Sequence, residues 1–451
     1  MSDEIARDRL DALLRERAVD PVYQPIVDLD TGDVVGLEAL ARGPLGGPLE
    51  RPDALFAAAR AAGRLAELDS LCRGRAVQDA YDAGLAGPLA LFVNVEPLTV
   101  ATRLVPFTAS GDLAERGVHV VAEFTERDLT ADPARLFAFA DQVRAHGFHI
   151  ALDDVGAHPA SLALMPFLRP EVVKLDLRLV QARPGPEVAE IMSAVAAYAE
   201  QSGALVLAEG VENPDHFATA RSLGATLGQG WWFGAGGRAA EILPGLPSPR
   251  RAPAWQRPVP PVPRASPFAT VARARTPRRA TSPLLLSMSR FLERQAAEMG
   301  ELAVVVAAFE RAPHFTRATR ARYRELARSA AYVGVLGAGM AAEPEPGVRG
   351  ADLAPDDPVR QEWIVAVVGP HFAAALVSRD LDPATPSASS DLDRSFDYVL
   401  THDRALVLDV ARSLLARTVP VDADHPDPHD DAEQVGVPLV SSVGVASVPD
   451  A

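Results

Sequence analysis

The chain has 451 residues, 48% of them apolar and 23% charged, which excludes wholesale disorder and leaves room for two or three domains. Its one cysteine, Cys72, excludes a disulfide framework and a cysteine-based zinc site, and a net charge of −16 argues against nucleic acid as the main ligand. No apolar run approaches a membrane span, and the start alternates acid and arginine instead of reading as a secretory signal, so no membrane association and a cytoplasmic location are expected.

In chain order, residues 1–243 alternate short apolar runs with helix-like stretches. The runs are Val22–Ile26, Val34–Leu40, Leu89–Val95, His119–Phe124, His149–Asp153, Val172–Leu175, Leu205–Ala208 and Leu227–Phe233. Asp132-Pro133 and Asn213-Pro214 each place a capping side chain ahead of proline, a helix-start signal. Eight strands alternating with helices over this length predict a (β/α)8 TIM-like barrel. An open doubly wound sheet is the alternative, but no glycine fingerprint follows the first strand.

Residues 244–283 hold eleven prolines, eight arginines and no acid, and read as a semi-rigid linker of charge +8 between acidic segments of −14 and −10. Residues 284–451 predict a smaller α+β (mixed) domain. They contain a strand-like Leu302–Phe309, a helix-like Thr316–Ala330, a hairpin Trp363–Val368/His371–Val377 and a helix near Leu406–Ala416. Arg317, Arg320, Arg324 and Arg328 line one helical face, read as a site for an anionic ligand, as a contact for the acidic segment 1–243, or, in preference, as a solvated face. The acidic stretch Asp422–Glu433 reads as a flexible tail.

The chemistry is concentrated at the strand ends. Polar groups stand at or near the carboxyl end of nearly every run: Gln24, Glu38, Asn94, Glu123 with Glu126, Asp153-Asp154, Lys174 with Asp176, Glu209 with Glu212, and Gln229. In a barrel these ends converge on one mouth, where active sites lie. That many carboxylates repel one another, and an all-oxygen set with one Asn suits Mg²⁺ or Mn²⁺. The adjacent aspartates suit two ions with one bridging carboxylate, an arrangement that hydrolyses phosphodiesters. Of 44 basic residues only Lys174 is lysine, which points to a place where a compact ammonium is needed.

The motifs carry a resemblance. YQPI (Tyr23–Ile26), EAL (Glu38–Leu40), VNVEP (Val93–Pro97), AEFTE (Ala122–Glu126), ALDDVG (Ala151–Gly156), VKLD (Val173–Asp176), AEGVE (Ala208–Glu212) and GQGWWF (Gly228–Phe233) run the length of residues 1–243. This segment resembles EAL domains, metal-dependent phosphodiesterases that linearise cyclic di-GMP. The resemblance implies two Mg²⁺ or Mn²⁺ per site. Glu38, Asn94, Glu123 and Asp153 would hold one metal, Asp153 would bridge, and Asp154 and Glu209 would serve the second.

By the same resemblance Lys174 holds the attacking water and the substrate phosphate, and Glu209 is a candidate general base. Gln229 and Glu212 match supporting members of that shell, Gln24 and Arg42 align with substrate contacts, and Asp176 completes the VKLD motif as a substrate-side residue. Glu126 braces the loop after the double aspartate, and a homodimer through the barrel is implied. The loop departs from the family pattern: Val155-Gly156-Ala157-His158-Pro159 follows Asp154, and Gly43 replaces the aromatic usual after the arginine. A non-catalytic cyclic di-GMP receptor is therefore the rival reading. Residues 284–451 resemble the DICT domain, a presumed sensory module, through VVAAFERAPHFT, RYRELA, GVRGADLAPDDP, EWIVAVVGPHFAAALVSRD and FDYVLTHDR; the signal it would sense is unknown.

Overall fold

A computed structural model describes residues 3–96, 110–125, 132–157, 159–183, 185–246, 266–381 and 394–418. The first part is a closed eight-stranded barrel in sequential order. Its strands are β1 (Asp20–Asp28), β2 (Val34–Arg42), β3 (Ala90–Asn94), β4 (His119–Thr125), β5 (His149–Val155), β6 (Val172–Leu175), β7 (Leu205–Ala208) and β8 (Leu227–Gln229). All eight expected strands are present. One departs from the regular pattern: β1 runs antiparallel to both β2 and β8, while the other pairings are parallel. A hairpin, Asp28 to Val34, thus replaces the first crossover helix.

The expected caps form. Asp132 Oδ1 accepts from Arg135 N at 3.0 Å and Asn213 Oδ1 from His216 N at 2.9 Å, opening helices Pro133–Ala145 and Pro214–Ser222. Inside the barrel, Ile26, Ala90, Phe92, Val121, Ala151, Val172, Leu207 and Leu227 form one buried cluster. Strand side chains repeat every two residues on a face. Two positions further towards the mouth from Phe92, Val121, Ala151, Val172, Leu207 and Leu227 stand Asn94, Glu123, Asp153, Lys174, Glu209 and Gln229. In β1, which runs the other way, Gln24 precedes Ile26 by two.

At the far end of the barrel, His119 Nδ1 and His149 Nε2 lie 3.3 Å apart. Burial, then His119 and Arg144, push the His149 pKa down to about 4. An imidazole depressed in the folded state contributes stability above its unfolded pKa, near 6.5, and loses it as pH falls through the folded value. The shift corresponds to about 3 kcal/mol. Thermal midpoints are therefore expected to fall between pH 6.5 and 4 and to fall less in His149→Gln; equal slopes for the two proteins would refute this.

The second part is a seven-stranded sheet in the order β12-β11-β10-β13-β14-β15-β9. Its strands are β9 (Arg278–Thr281), β10 (Val304–Arg311), β11 (Tyr332–Ala338), β12 (Arg349–Asp352), β13 (Glu362–Val368), β14 (Ala373–Asp380) and β15 (Ser395–Thr401). β10, β11 and β12 are parallel and the remaining pairs antiparallel, the mixed architecture expected. Helices Ser282–Met299 and Arg317–Leu326 cover one face through Leu285, Leu292 and Tyr323, joined by Phe315 from the turn before the second helix. Helices Pro267–Ala274 and Arg404–Leu415 supply Phe268, Val271, Val407 and Val410 to the cluster on the other.

One expectation changes here. Helix Pro267–Ala274 and strand β9 fall within the stretch read as extended linker, where Ser266 caps the helix and β15 supplies β9 with ladder bonds. The arginine face of helix Arg317–Leu326 is largely solvated: Arg317, Arg324 and Arg328 are exposed, with Arg320 and Arg324 reaching Glu345 at 3.6 and 3.4 Å and Arg328 reaching Glu325 at 2.8 Å. The tail Asp422–Glu433 lies outside the described residues.

The two parts touch at several places, among them helix Arg404–Leu415 against barrel helices Pro133–Ala145 and Pro159–Leu168, the turn Gly300–Leu302 against Pro159–Leu168, and Ser193 Oγ with His371 Nε2 at 3.1 Å. Arg412, buried, donates to Asp141 at 2.6 Å and to the Phe167 carbonyl at 3.1 Å, and its guanidinium lies 5.2 Å from the Phe137 ring centre. Arg169 donates to Asp409 at 2.8 Å. Helix Pro159–Leu168 begins just after the double aspartate of β5.

Candidate metal centre at the barrel mouth

All eight strands deliver a group to one place. Lys174, at the end of β6 and 0% exposed, is its hub. Its Nζ lies 2.7 Å from Glu209, 2.8 Å from Glu123, 2.9 Å from Asp153 and 3.4 Å from Glu38. Asn94 Nδ2 donates to Glu38 Oε1 at 3.3 Å, and Gln229 Nε2 donates to Glu38 Oε2 at 2.5 Å and to Gln24 Oε1 at 3.0 Å.

Consecutive strand residues normally face opposite sides. Asp153 and Asp154 escape that rule because β5 bulges against β6 between Leu152 and Val155, and Asp154 adopts a left-handed φ of 57°. With Glu209 they offer oxygens within 4.8 Å of one another, a grouping able to hold a cation. Non-glycine residues in that region cost on the order of 1–3 kcal/mol and cluster at functional sites.

The electrostatics follow from burial among like charges. Burial, then Glu38 and Asp153, raise the Glu123 pKa well above the usual carboxylate range. Burial, then Asp153 and Glu38, do the same to Glu209 despite Lys174. Burial also opposes the Glu38 carboxylate, but Lys174 and the Gln229 and Asn94 amides outweigh it and hold its pKa below normal. For Lys174 burial opposes the charge, yet Asp153, Glu123, Glu209 and Glu38 overcome it and raise its pKa well above normal.

Several expected residues sit apart from this hub. Asp176 caps helix Leu177–Gln181, accepting from Arg178 N at 2.7 Å and from the Arg178 guanidinium at 2.9 Å. Glu212 is exposed, its backbone N–H directed at His216 Nδ1. Arg42 ends β2, half-buried, with its guanidinium on the Ala41 carbonyl at 2.9 Å. Glu126 and His158 lie outside the described residues. Gly43 has a local cause, since a Cβ there would stand 2.1 Å from the Leu49 carbonyl oxygen.

The donor set fits divalent cations. It consists of carboxylates and an amide, and among the described residues Glu123 Oε2 is fully buried without a hydrogen-bond partner. Fold and site together define a barrel whose mouth carries an acidic, lysine-bearing centre with a donor set able to hold a cation.

The family follows from comparison with known proteins. A family model described as "EAL domain" matches residues 7–235, and one described as "Sensory domain in DIguanylate Cyclases and Two-component system" (DICT) matches residues 268–381. The chain belongs to the EAL domain family. Among curated relatives, "Probable cyclic di-GMP phosphodiesterase PdeB" of Escherichia coli (strain K12) is 28% identical over 230 residues, 50% of this chain and 44% of the relative. "Cyclic di-GMP phosphodiesterase NbdA" of Pseudomonas aeruginosa is 30% identical over 228 residues, 49% of this chain and 29% of the relative. The chain thus spans less than half the length of either. A Klebsiella pneumoniae BlrP1 manganese/cy-diGMP complex aligns with 28% identity over 49% of this chain and 56% of that one, with a TM-score of 0.43. Among the described residues no helix is long and apolar enough to cross a membrane.

Proposed function

We propose that the barrel hydrolyses one phosphodiester of cyclic di-GMP to give linear pGpG. The observation that carries this reading is the convergence of Glu38, Glu123, Asp153 and Glu209 on Lys174, 2.7 to 3.4 Å from its Nζ. Relatives named as cyclic di-GMP phosphodiesterases support the substrate. Glu38, Asn94, Glu123 and Asp153 would hold one Mg²⁺ or Mn²⁺, and Asp153, Asp154 and Glu209 a second. Bound there, the ions supply Lewis acidity towards the phosphodiester and lower the pKa of a bound water.

The chain's own groups complete the chemistry. The Lys174 ammonium, held among carboxylates, places a compact positive charge beside the reacting phosphate and fixes the attacking water. Glu209, its carboxylate 20% exposed against 0% for Glu123, stands where it reaches that water and takes its proton. Gln229 and Gln24 orient Glu38 and border the substrate, and Arg42 suits a second phosphate. The C-terminal domain regulates by bearing on helix Pro159–Leu168, which continues the double-aspartate loop.

Purified protein incubated with cyclic di-GMP and Mg²⁺ or Mn²⁺ is expected to form linear dinucleotide. EDTA should reduce product to background, and added metal should restore it; turnover that persists in EDTA would sink the metal assignment. Binding without product would favour the receptor reading, for which the unusual loop Val155–Ala157 speaks.

A further inference from the structure

The C-terminal domain holds a polar cavity of about 560 Å³ at the carboxyl ends of the parallel strands β10 and β11. Glu310 and Arg311 from β10, Ala338 from β11, and Asp356, Asp357 and Arg360 around the short turn Pro358–Gln361 contribute to its wall. Open sheets bind ligands outside the carboxyl ends of parallel strands, and this volume is that of an ordinary small-molecule site.

The backbone is shaped towards it. β10 loses register against β11 between Ala308 and Arg311, and Glu310 has a left-handed φ of 56° although it is neither glycine nor exposed. The deviation puts the neighbouring side chains Glu310 and Arg311 on one cavity wall where a regular strand would separate them. Glu310 is fixed in that posture: Arg394 donates to both its oxygens at 2.8 Å, His314 Nδ1 lies 2.8 Å from Oε2, and Arg394 also binds Asp380.

Charge pairing around the cavity is uneven. Glu310 is matched by Arg394 and His314, and Asp357 by Arg417 at 2.7 Å. Elsewhere in the domain Arg320, Arg322, Arg324 and Arg328 all have carboxylate partners. Arg311 and Arg360 line the cavity with no carboxylate partner among the described residues, faced by one unmatched acid, Asp356. Two guanidiniums without a carboxylate partner among the described residues, both lining one polar cavity, have the chemistry to receive an anion.

We propose that this cavity binds a small organic anion whose phosphate or carboxylate groups engage Arg311 and Arg360, while a donor group on the same ligand faces Asp356. This does not depend on the barrel's activity. Calorimetric titration of the full chain in EDTA, with inorganic pyrophosphate and separately with citrate, tests it and distinguishes the two anion chemistries. Saturable binding of one probe per chain is expected. It should weaken at least tenfold in Arg311→Ala/Arg360→Ala, weaken less in Arg360→Lys, and persist in the charge-matched control Arg273→Ala/Arg278→Ala. Circular dichroism confirms that each variant is folded. Failure of both probes to saturate, equal weakening in the control, or binding that survives the Arg311/Arg360 double variant would overturn the proposal.

Discussion

Lys174→Arg is expected to reduce hydrolysis of cyclic di-GMP by about 10³-fold while leaving the barrel folded, a loss typical of displacing one charge-stabilising donor. Lys174 is fully buried, and four carboxylates approach its Nζ from as many strands. A guanidinium keeps the charge but is planar and broader, so it displaces either the carboxylates or the space beside them in which water and phosphate must stand. Product formation per unit time measures the effect, with circular dichroism as the check on folding. Turnover within tenfold of the unaltered protein would remove Lys174 from the mechanism. Lys174→Met separates charge from shape. It leaves the carboxylates without their cation, and without metal it should lower stability by roughly 3–5 kcal/mol. Mg²⁺ or Mn²⁺ should then raise its thermal midpoint more than that of the unaltered chain, because only the variant lacks another counter-charge.

Arg412→Ala is expected to uncouple the two parts of the molecule. The arginine is buried, and removing it strands the Asp141 carboxylate and the Phe167 carbonyl and opens a space beside the Phe137 ring. Arg412 is buried but the Asp141 carboxylate is 28% exposed and can be hydrated, so the loss falls below the roughly 3–5 kcal/mol of breaking a fully buried pair. Here the loss falls on the contact between the parts and spares the core of either. Thermal unfolding should therefore broaden or split into two transitions, and hydrogen exchange should rise in helices Arg404–Leu415 and Pro159–Leu168. An unfolding curve that superimposes on that of the unaltered protein would show that the apolar contacts suffice to hold the helix in place.

Much of this centre was legible in the sequence because period-two geometry makes it so. Six mouth residues stand two positions beyond an internal apolar residue on the same strand, so the alternation that marks a strand also marks which polar groups turn inward. Lysine occurs once in the chain and asparagine twice, and Lys174 and Asn94 both lie in the cluster.

What the sequence hid depends on context. An apolar run carries no mark of its direction, so the reversal of β1 was invisible. Asp176 reads like its neighbour Lys174, but the strand ends at Leu175 and turns it into a helix cap. Proline and arginine density suggested an extended linker, yet Pro267 occupies the first turn of a helix, where proline is tolerated. The arginine stripe on Arg317–Leu326 was ambiguous because its partner Glu345 lies 21 residues beyond Arg324, a separation that no local pattern encodes.

The reversed first strand has a practical corollary. Asp20 pairs with Arg42, the last residue of β2, so the chain enters the barrel at the rim of the site and not at its floor. Helix Asp3–Glu16 accordingly packs through Leu10, Leu13 and Leu14 against Leu55 and Leu68, on helices that directly follow β2. A fluorophore attached to its solvent side would report on events at the rim. A label on helix Ser282–Met299 would instead travel with the second sheet.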